Sequence, residues 1–183
     1  MLQTQNDLPE RTRSKIIDLL NARLADALDL EYQAKQAHWN VKGKDFFQLH
    51  ELFDKVAHEV GEHVDHIAER AVQLGGYVEG TVRSAAKLSA LPEYPSGIVD
   101  GPDHVEALST AIASVAASMR KAIADTEALG DLATSDLFIE VTRTLDELLW
   151  MVEAHQVGLQ GTAARVPARE RHKNERARTS HRH

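Results

Sequence analysis

Residues 49–70, LHELFDKVAHEVGEHVDHIAER, are rich in side chains that bind metal ions. The segment contains four histidines and six carboxylates, namely His50, His58, His63, His66, Glu51, Asp54, Glu59, Glu62, Asp65 and Glu69. Because the chain has no cysteine, a metal site must be built from nitrogen and oxygen ligands. Imidazole with carboxylate suits iron, manganese or zinc, and several carboxylates favour a redox-active pair of iron ions.

Four of these groups fall in phase along one helix. His50 and Asp54 are four residues apart, as are Asp65 and Glu69, so each pair shares one helix face. Between positions 54 and 65 the helix completes three turns to within about 20°, so the two pairs form one stripe. A rise of about 1.5 Å per residue nevertheless separates them by about 16 Å. The two pairs of one chain therefore cannot bind the same ion.

Twofold symmetry would remove this separation. If two copies of the helix pack antiparallel, position 54 of one meets position 65 of the other, and Gly61 near the midpoint would let the backbones approach. His38, in the sequence AHWN at the end of the preceding helix, is placed to add a second imidazole. The predicted metal site takes His38, His50 and Asp54 from one chain and Asp65 and Glu69 from its partner.

A solvated polar face is the alternative interpretation of this helix. It accounts for His63 and His66, which lie off the stripe. His58 lies within the stripe and is interpreted as an interface residue, with an auxiliary ligand as the alternative. The chain contains no Glu-x-x-His, His-Glu-x-x-His, Gly-x-Ser-x-Gly, Walker-type or Gly-x-Gly-x-x-Gly sequence. A di-iron centre inside one bundle, a hydrolase and a nucleotide-binding protein thus lack their usual signatures.

Long helices must position these groups. Apolar residues at helical spacing predict helices over residues 9–40, 45–75 and 102–130 and a fourth around 138–152. Asp45 and Gln48 have the spacing of a capping box, and Gly75-Gly76 ends the second helix. Residues 77–101 are rich in Gly, Pro and Ser, which predicts a long crossover containing one short helix. We predict an all-α, ferritin-like four-helix bundle over residues 1–164.

The charge is divided between an acidic body and a basic tail. Residues 165–183 hold seven Arg and Lys and two Glu (7 − 2 = +5), so the rest of the chain carries −7 − 5 = −12. The tail lacks apolar periodicity and is predicted to be disordered. It can contact DNA phosphates without reading sequence, through Arg165, Arg169, Arg171, Lys173, Arg176, Arg178 and Arg182. A solubilising or assembly-modulating tail is the alternative.

The composition favours a single cytoplasmic domain. A chain of 183 residues that is 43% hydrophobic can bury one substantial core. No apolar run resembles a signal peptide or approaches the roughly 20 residues that span a bilayer. We expect a protein without a membrane partner, associated with the nucleoid if the tail binds DNA.

Three segments resemble signatures of the Dps family, the DNA-binding proteins from starved cells: KQAHWNVKG (35–43), LHELFD (49–54) and HVDHIAERAVQLGG (63–76). The resemblance covers residues 7–160. It implies a homo-dodecameric cage that oxidises iron(II), preferably with hydrogen peroxide rather than dioxygen, and stores iron(III) mineral. It also implies that the five residues predicted above form a catalytic ferroxidase site for two iron ions at the twofold interface.

The resemblance suggests roles for further residues. Trp39, beside His38, is a candidate electron donor or radical trap, or else a packing aromatic, whereas Trp150 is expected in the core. Acidic pores at threefold axes would admit iron, and the candidates are Asp125, Asp131 and Asp136, for which solvated or helix-capping carboxylates are the alternative.

Two other functions compete with the ferroxidase cage. The first is a nucleoid-compacting DNA-binding structural protein with an incidental metal site. The second is a scaffold that binds zinc or manganese without redox turnover.

Overall fold

The structure is a computed structural model that describes residues 1–156, which fold into five helices and no sheet. The helices are α1 (Glu10–Asn40), α2 (Phe46–Gln73), α3 (Val82–Leu88), α4 (Gly101–Ala128) and α5 (Leu132–Glu153). The predicted all-α bundle with a short helix in its crossover is confirmed. The basic residues of segment 165–183 lie outside the described residues.

The four long helices pack as two hairpins around one core. Short turns make α1 antiparallel to α2 and α4 antiparallel to α5, and the long crossover makes α2 and α4 parallel. Contacts of α1 with α4 and of α2 with α5 close the bundle, while α3 packs on α1. Fully buried side chains from all four helices form the core, among them Leu20, Leu24, Phe53, Ile67, Leu108, Met119, Phe138 and Leu145. Within residues 1–156, every helix is too short or too polar to cross a bilayer.

The beginning of α2 differs from the prediction, because no capping box forms there. Asp45 occupies the N-cap position, but its side chain accepts no hydrogen bond from the helix amides. With φ −100° and ψ 19° its backbone lies outside the extended region that orients a capping side chain. Its carbonyl oxygen alone joins the helix, accepting a hydrogen bond from the Leu49 amide at 3.1 Å.

The end of α2 is tied to the N-terminal segment. Gly75 has φ +83°, a conformation that side chains with a Cβ rarely adopt, and it ends the helix where the sequence predicted. Its carbonyl accepts a hydrogen bond from the Leu2 amide at 2.8 Å. Arg13 of α1 donates from Nη1 to the neighbouring Leu74 carbonyl, also at 2.8 Å. The carbonyls at the end of α2 are thus satisfied by groups preceding and beginning α1.

Trp150 is not a core residue, contrary to the prediction. On α5 the buried positions Leu145, Leu148 and Val152 follow a 3-4 spacing. Position 150 falls two residues after Leu148, about 200° around the helix, so the indole points outward. Its side chain is 67% exposed in the chain.

Substituting Gly75 by alanine tests this junction. A Cβ at Gly75 would lie 2.8 Å from the Leu2 carbonyl oxygen, whereas one at Gly130, which has a similar φ of +80°, meets nothing within 4 Å. Gly130→Ala should therefore cost only the conformational strain, about 1 kcal/mol, and Gly75→Ala about 1–3 kcal/mol more. Thermal unfolding of both variants at one protein concentration measures the difference, and equal midpoints would contradict the proposed contact.

Candidate metal centre

The last turn of α1 and the first turns of α2 bring two imidazoles face to face. The rings of His38 and His50 stack with centroids 3.7 Å apart and planes 20° from parallel. Nδ1 of His38 donates to the His50 carbonyl at 2.8 Å, and Nδ1 of His50 donates to the His38 carbonyl at 2.9 Å. Because a carbonyl only accepts, both Nδ1 atoms carry protons, and Nε2 of each neutral ring keeps its lone pair. Both Nε2 atoms are therefore available to a metal ion.

Asp54 lies beside this pair, one turn further along α2. Its Oδ1 is 3.9 Å from Nδ1 of His38. The Lys35 ammonium of α1 donates a hydrogen bond to the same carboxylate, and this hydrogen bond holds the pKa of Asp54 below its usual range. The Asp54 side chain, which is ionised at neutral pH, is about half exposed. The carboxylate offers a metal ion negative charge, while Lys35 is the cation that such an ion would displace.

The structure does not bring Asp65 and Glu69 to the two histidines. Both carboxylates are exposed on α2, in phase with Asp54 but three turns further along the helix. One chain thus presents the predicted ligands in two separate groups, which we call the candidate half-sites. This arrangement matches the geometric expectation that no single chain completes the centre.

Gly61, halfway between the half-sites, has a neighbour within its own chain. A Cβ at this position would lie 3.5 Å from the Glu31 carboxylate of α1, an ordinary contact distance. Burial raises the pKa of Glu31. The space beside Gly61, which was predicted to let a partner backbone approach, is therefore partly occupied by the Glu31 side chain of the same chain.

Exposed aromatic side chains surround the imidazole pair. Phe46, whose ring centroid lies 5.1 Å from that of His50, and its neighbour Phe47 are exposed. Trp39, adjacent to His38, is 64% exposed. Sequence reasoning missed the two phenylalanines, although their position in the first turn of α2, three and four residues before His50, was a usable signal.

Asp131 caps a helix, which is the alternative to a pore role that the sequence left open for this residue. Its carboxylate accepts the Thr134 amide hydrogen bond at 3.1 Å and caps α5. Arg70 of α2 donates to both carboxylate oxygens at 3.0 and 3.1 Å. Burial alone raises the pKa of Asp131, but the hydrogen bonds from Thr134 and Arg70 outweigh it and the net shift is downward. A buried, paired carboxylate does not line a pore, so Asp125 and Asp136, which are exposed, remain the candidates.

His63 is buried, whereas the solvated-face interpretation placed it in water. Its Nε2 lies 2.9 Å from Thr144 Oγ1 of α5, and burial lowers the pKa of His63. His66 remains exposed, as expected. Helical spacing shows that His63 lies off the stripe, but it does not show that this side of α2 packs against α5. The burial of His63 and its contact with Thr144 therefore could not be predicted from spacing.

Comparison with known proteins identifies the fold and the family. The sequence profile of the ferritin-like domain matches residues 17–161. The DNA protection during starvation protein of Agrobacterium fabrum is 43% identical over 84% of this chain and 94% of its own length. The chain belongs to the Dps family.

Solved Dps structures agree with the fold. A tetragonal form of Mycobacterium smegmatis Dps aligns with a TM-score of 0.80 at 32% identity, covering 84% of this chain and 93% of its own. DpsC from Streptomyces coelicolor aligns with a TM-score of 0.81 at 35% identity, covering 84% and 90%. The resemblance seen in the three sequence segments is confirmed.

The buried Asp131–Arg70 pair of this Dps chain predicts a pH-dependent contribution to stability. Asp131→Ala removes a helix cap and leaves Arg70 unpaired, so it should cost about 3 kcal/mol of unfolding free energy at neutral pH. Because the folded-state pKa is lowered from 3.8, the contribution is present above that pH and is lost as pH falls through the lowered pKa.

Urea unfolding of both proteins at one concentration, repeated between neutral pH and pH of about 3, measures this difference. Asp136→Ala, an exposed carboxylate on the same helix, is the control and should change stability by less than about 0.5 kcal/mol. A difference between wild type and Asp131→Ala that stays constant down to acid pH would contradict the assignment.

Proposed function

We propose that this Dps protein is a ferroxidase that oxidises iron(II), stores iron(III) as mineral and so protects against oxidative stress. The observation that carries the proposal is the imidazole pair. Hydrogen bonds to backbone carbonyls hold both Nδ1 atoms, which leaves two Nε2 lone pairs beside the ionised carboxylate of Asp54. Such a nitrogen and oxygen donor set suits iron(II).

The proposed catalytic site is completed by a partner chain. Antiparallel packing of two α2 helices about a twofold axis sets Asp65 and Glu69 of one chain against the histidine half-site of the other. The aromatic groups around that half-site support an interface there, because Trp39, Phe46 and Phe47 leave apolar surface in water in the single chain. Each twofold pair then holds two sites, each binding two iron ions, and we propose a closed homo-dodecamer.

Each protein group has a defined part in the proposed reaction. The imidazoles and carboxylates hold two iron(II) ions close together, and each ion gives up one electron. The two electrons reduce one hydrogen peroxide, consuming two protons and forming two water molecules; with dioxygen as the oxidant, the same two electrons and two protons would give hydrogen peroxide. No hydroxyl radical is released, because peroxide receives both electrons together. Carboxylates favour iron(III) since they balance its added charge.

Two further residues act next to the substrate ions. Lys35 balances the charge of the Asp54 carboxylate while the site is empty, and its ammonium must leave that carboxylate when iron(II) binds. Trp39, the exposed neighbour of His38, is proposed as an electron donor. It would supply one electron when the bound iron provides only one of the two that peroxide requires. Iron would arrive through acidic pores that include the exposed carboxylates of Asp125 and Asp136.

DNA binding is the second candidate function. The Agrobacterium fabrum relative is named a DNA protection protein, and segment 165–183 carries a net charge of +5 from seven Arg and Lys and two Glu. Multiple tails on one cage would bind phosphates multivalently. A nucleoid-compacting protein with an incidental metal site, or a zinc or manganese scaffold, would lack iron oxidation in the assays below.

Mixed assembly tests the shared site. One variant carries His50→Ala and Asp54→Ala, and the other carries Asp65→Ala and Glu69→Ala. Each alone should be nearly inactive, because every site loses half its ligands. When the two variants assemble together, one site of each mixed pair receives intact residues from both chains. Anaerobic iron(II) loading followed by peroxide should then show partial recovery of iron(III) formation in a particle with the mass of about twelve chains.

The same experiment distinguishes a site built within one chain. His58→Ala, on the same helix, is the matched control and should keep most of the activity. Light scattering must show mixed particles of cage mass before the rates are compared. Mixed assembly with no recovered iron oxidation would exclude the shared site, and a stable monomer would exclude the cage as well.

Deleting residues 165–183 tests the tail. Retardation of DNA should disappear while iron oxidation is unchanged, because the proposed catalytic residues all lie before the deletion. For the full chain, log K should fall by about 0.9 per phosphate contact for each tenfold rise in salt. Equal DNA binding by the truncated cage would show that another surface binds the nucleic acid.

A further inference from the structure

A second group of metal-capable side chains lies between α2 and α5. His63 and His66 are three residues apart on α2, and Glu140 comes from α5. One potential ligand atom from each residue lies within 4.8 Å of the others, and no other group of three in residues 1–156 meets this distance. The two imidazole rings meet edge to face with centroids 6.1 Å apart. We call this group the α2–α5 cluster.

The buried histidine of the cluster has an unused nitrogen. His63 is 7% exposed, and its Nδ1 is buried with no hydrogen-bond partner within the described part of the chain. Leaving a buried polar atom unpaired destabilises the folded state, so native structures usually satisfy it. A metal ion that accepts the Nδ1 lone pair would give this buried nitrogen a partner.

Thr144 fixes the orientation of that nitrogen. Its Oγ1 lies 2.9 Å from Nε2 of His63, and it follows Glu140 by one turn of α5. When Nε2–H donates to the hydroxyl, Nδ1 is the unprotonated nitrogen of the neutral ring. A hydrogen bond on one ring nitrogen with a free lone pair on the other is the usual arrangement of a metal-binding histidine.

We propose that His63, His66 and Glu140 bind one divalent transition-metal ion, such as zinc(II) or iron(II), within each chain. Two imidazoles and one carboxylate match the ligand preferences of these ions, and three protein ligands leave further positions for water. The exposure of His66 and Glu140 gives the ion a route from solvent.

This site is separate from the twofold half-sites. Position 63 lies about 180° around α2 from Asp54, since nine residues separate them. All three ligands belong to one chain, so binding here requires no partner helix. The site therefore stands or fails independently of the proposed ferroxidase centre.

Cobalt(II) binding to the full-length protein tests the proposal. The reference protein carries His50→Ala and Asp54→Ala, which remove half of each twofold site. Equilibrium dialysis and the visible absorption of cobalt(II) then count the remaining ions. Adding His66→Ala and Glu140→Gln should remove one cobalt(II) per chain and its absorption. Adding His58→Ala and Glu147→Gln instead, an exposed pair on the same helices, should remove none.

Thr144→Val gives a second measurement that leaves all three ligands in place. Because it removes the group that orients His63, cobalt(II) affinity should fall about tenfold. Crystals soaked in cobalt(II) should show an anomalous peak at bonding distance from Nδ1 of His63. Unchanged cobalt(II) binding after loss of His66 and Glu140, or no bound ion in the reference protein, would overturn the proposal.

Discussion

The proposed metal centre depends on a pair of hydrogen bonds that cross between two helices. His38 and His50 each donate from Nδ1 to the backbone carbonyl of the other, which fixes both rings in one tautomer and in a stacked arrangement. An imidazole free to rotate would have to be ordered when iron binds, at a cost in conformational entropy. Here the α1–α2 hairpin orders both rings, so their Nε2 atoms are already positioned before an ion binds.

The same hairpin explains why the proposed centre is divided between chains. A straight α2 carries its remaining ligands away from the imidazole pair at about 1.5 Å per residue, and no bend returns Asp65 or Glu69 to it. The chain therefore presents two incomplete half-sites on one exposed face, one of them bordered by aromatic side chains. In the proposed mechanism, catalysis by this centre and assembly of the proposed cage depend on the same contact, so an unassembled chain would not oxidise iron at an incomplete site.

Much of the fold, and the grouping of His38, His50 and Asp54, could be predicted from sequence, because both rest on helical periodicity. The spacing of Leu145, Leu148 and Val152 locates the core face of α5, and the spacing of His50 and Asp54 locates the half-site on α2. Periodicity fails where a neighbouring helix decides the environment. The burial of His63 depends on α5, and the pairing of Asp131 depends on Arg70, 61 residues earlier in the chain.

Local backbone geometry accounts for the other differences. Asp45 has the residue type and the spacing of a capping box, yet its backbone dihedral angles prevent the side chain from capping α2. Trp150 shows the opposite error, since its apolar character suggested burial while its position between Leu148 and Val152 requires exposure. In both cases the identity of the residue was a weaker guide than its place in the helix.

The concentration of histidines and carboxylates in residues 49–70 follows from the position of α2. This helix meets α1 on one side, through His50 and Asp54, and α5 on another, through His63 and Arg70. Its outer face carries Asp65 and Glu69 in water. A polar group beside the core must be paired, whereas one on the outer face needs no partner within the chain. The segment therefore forms three surfaces on one helix, and under the proposed twofold packing the outer surface gains its partner from a second chain.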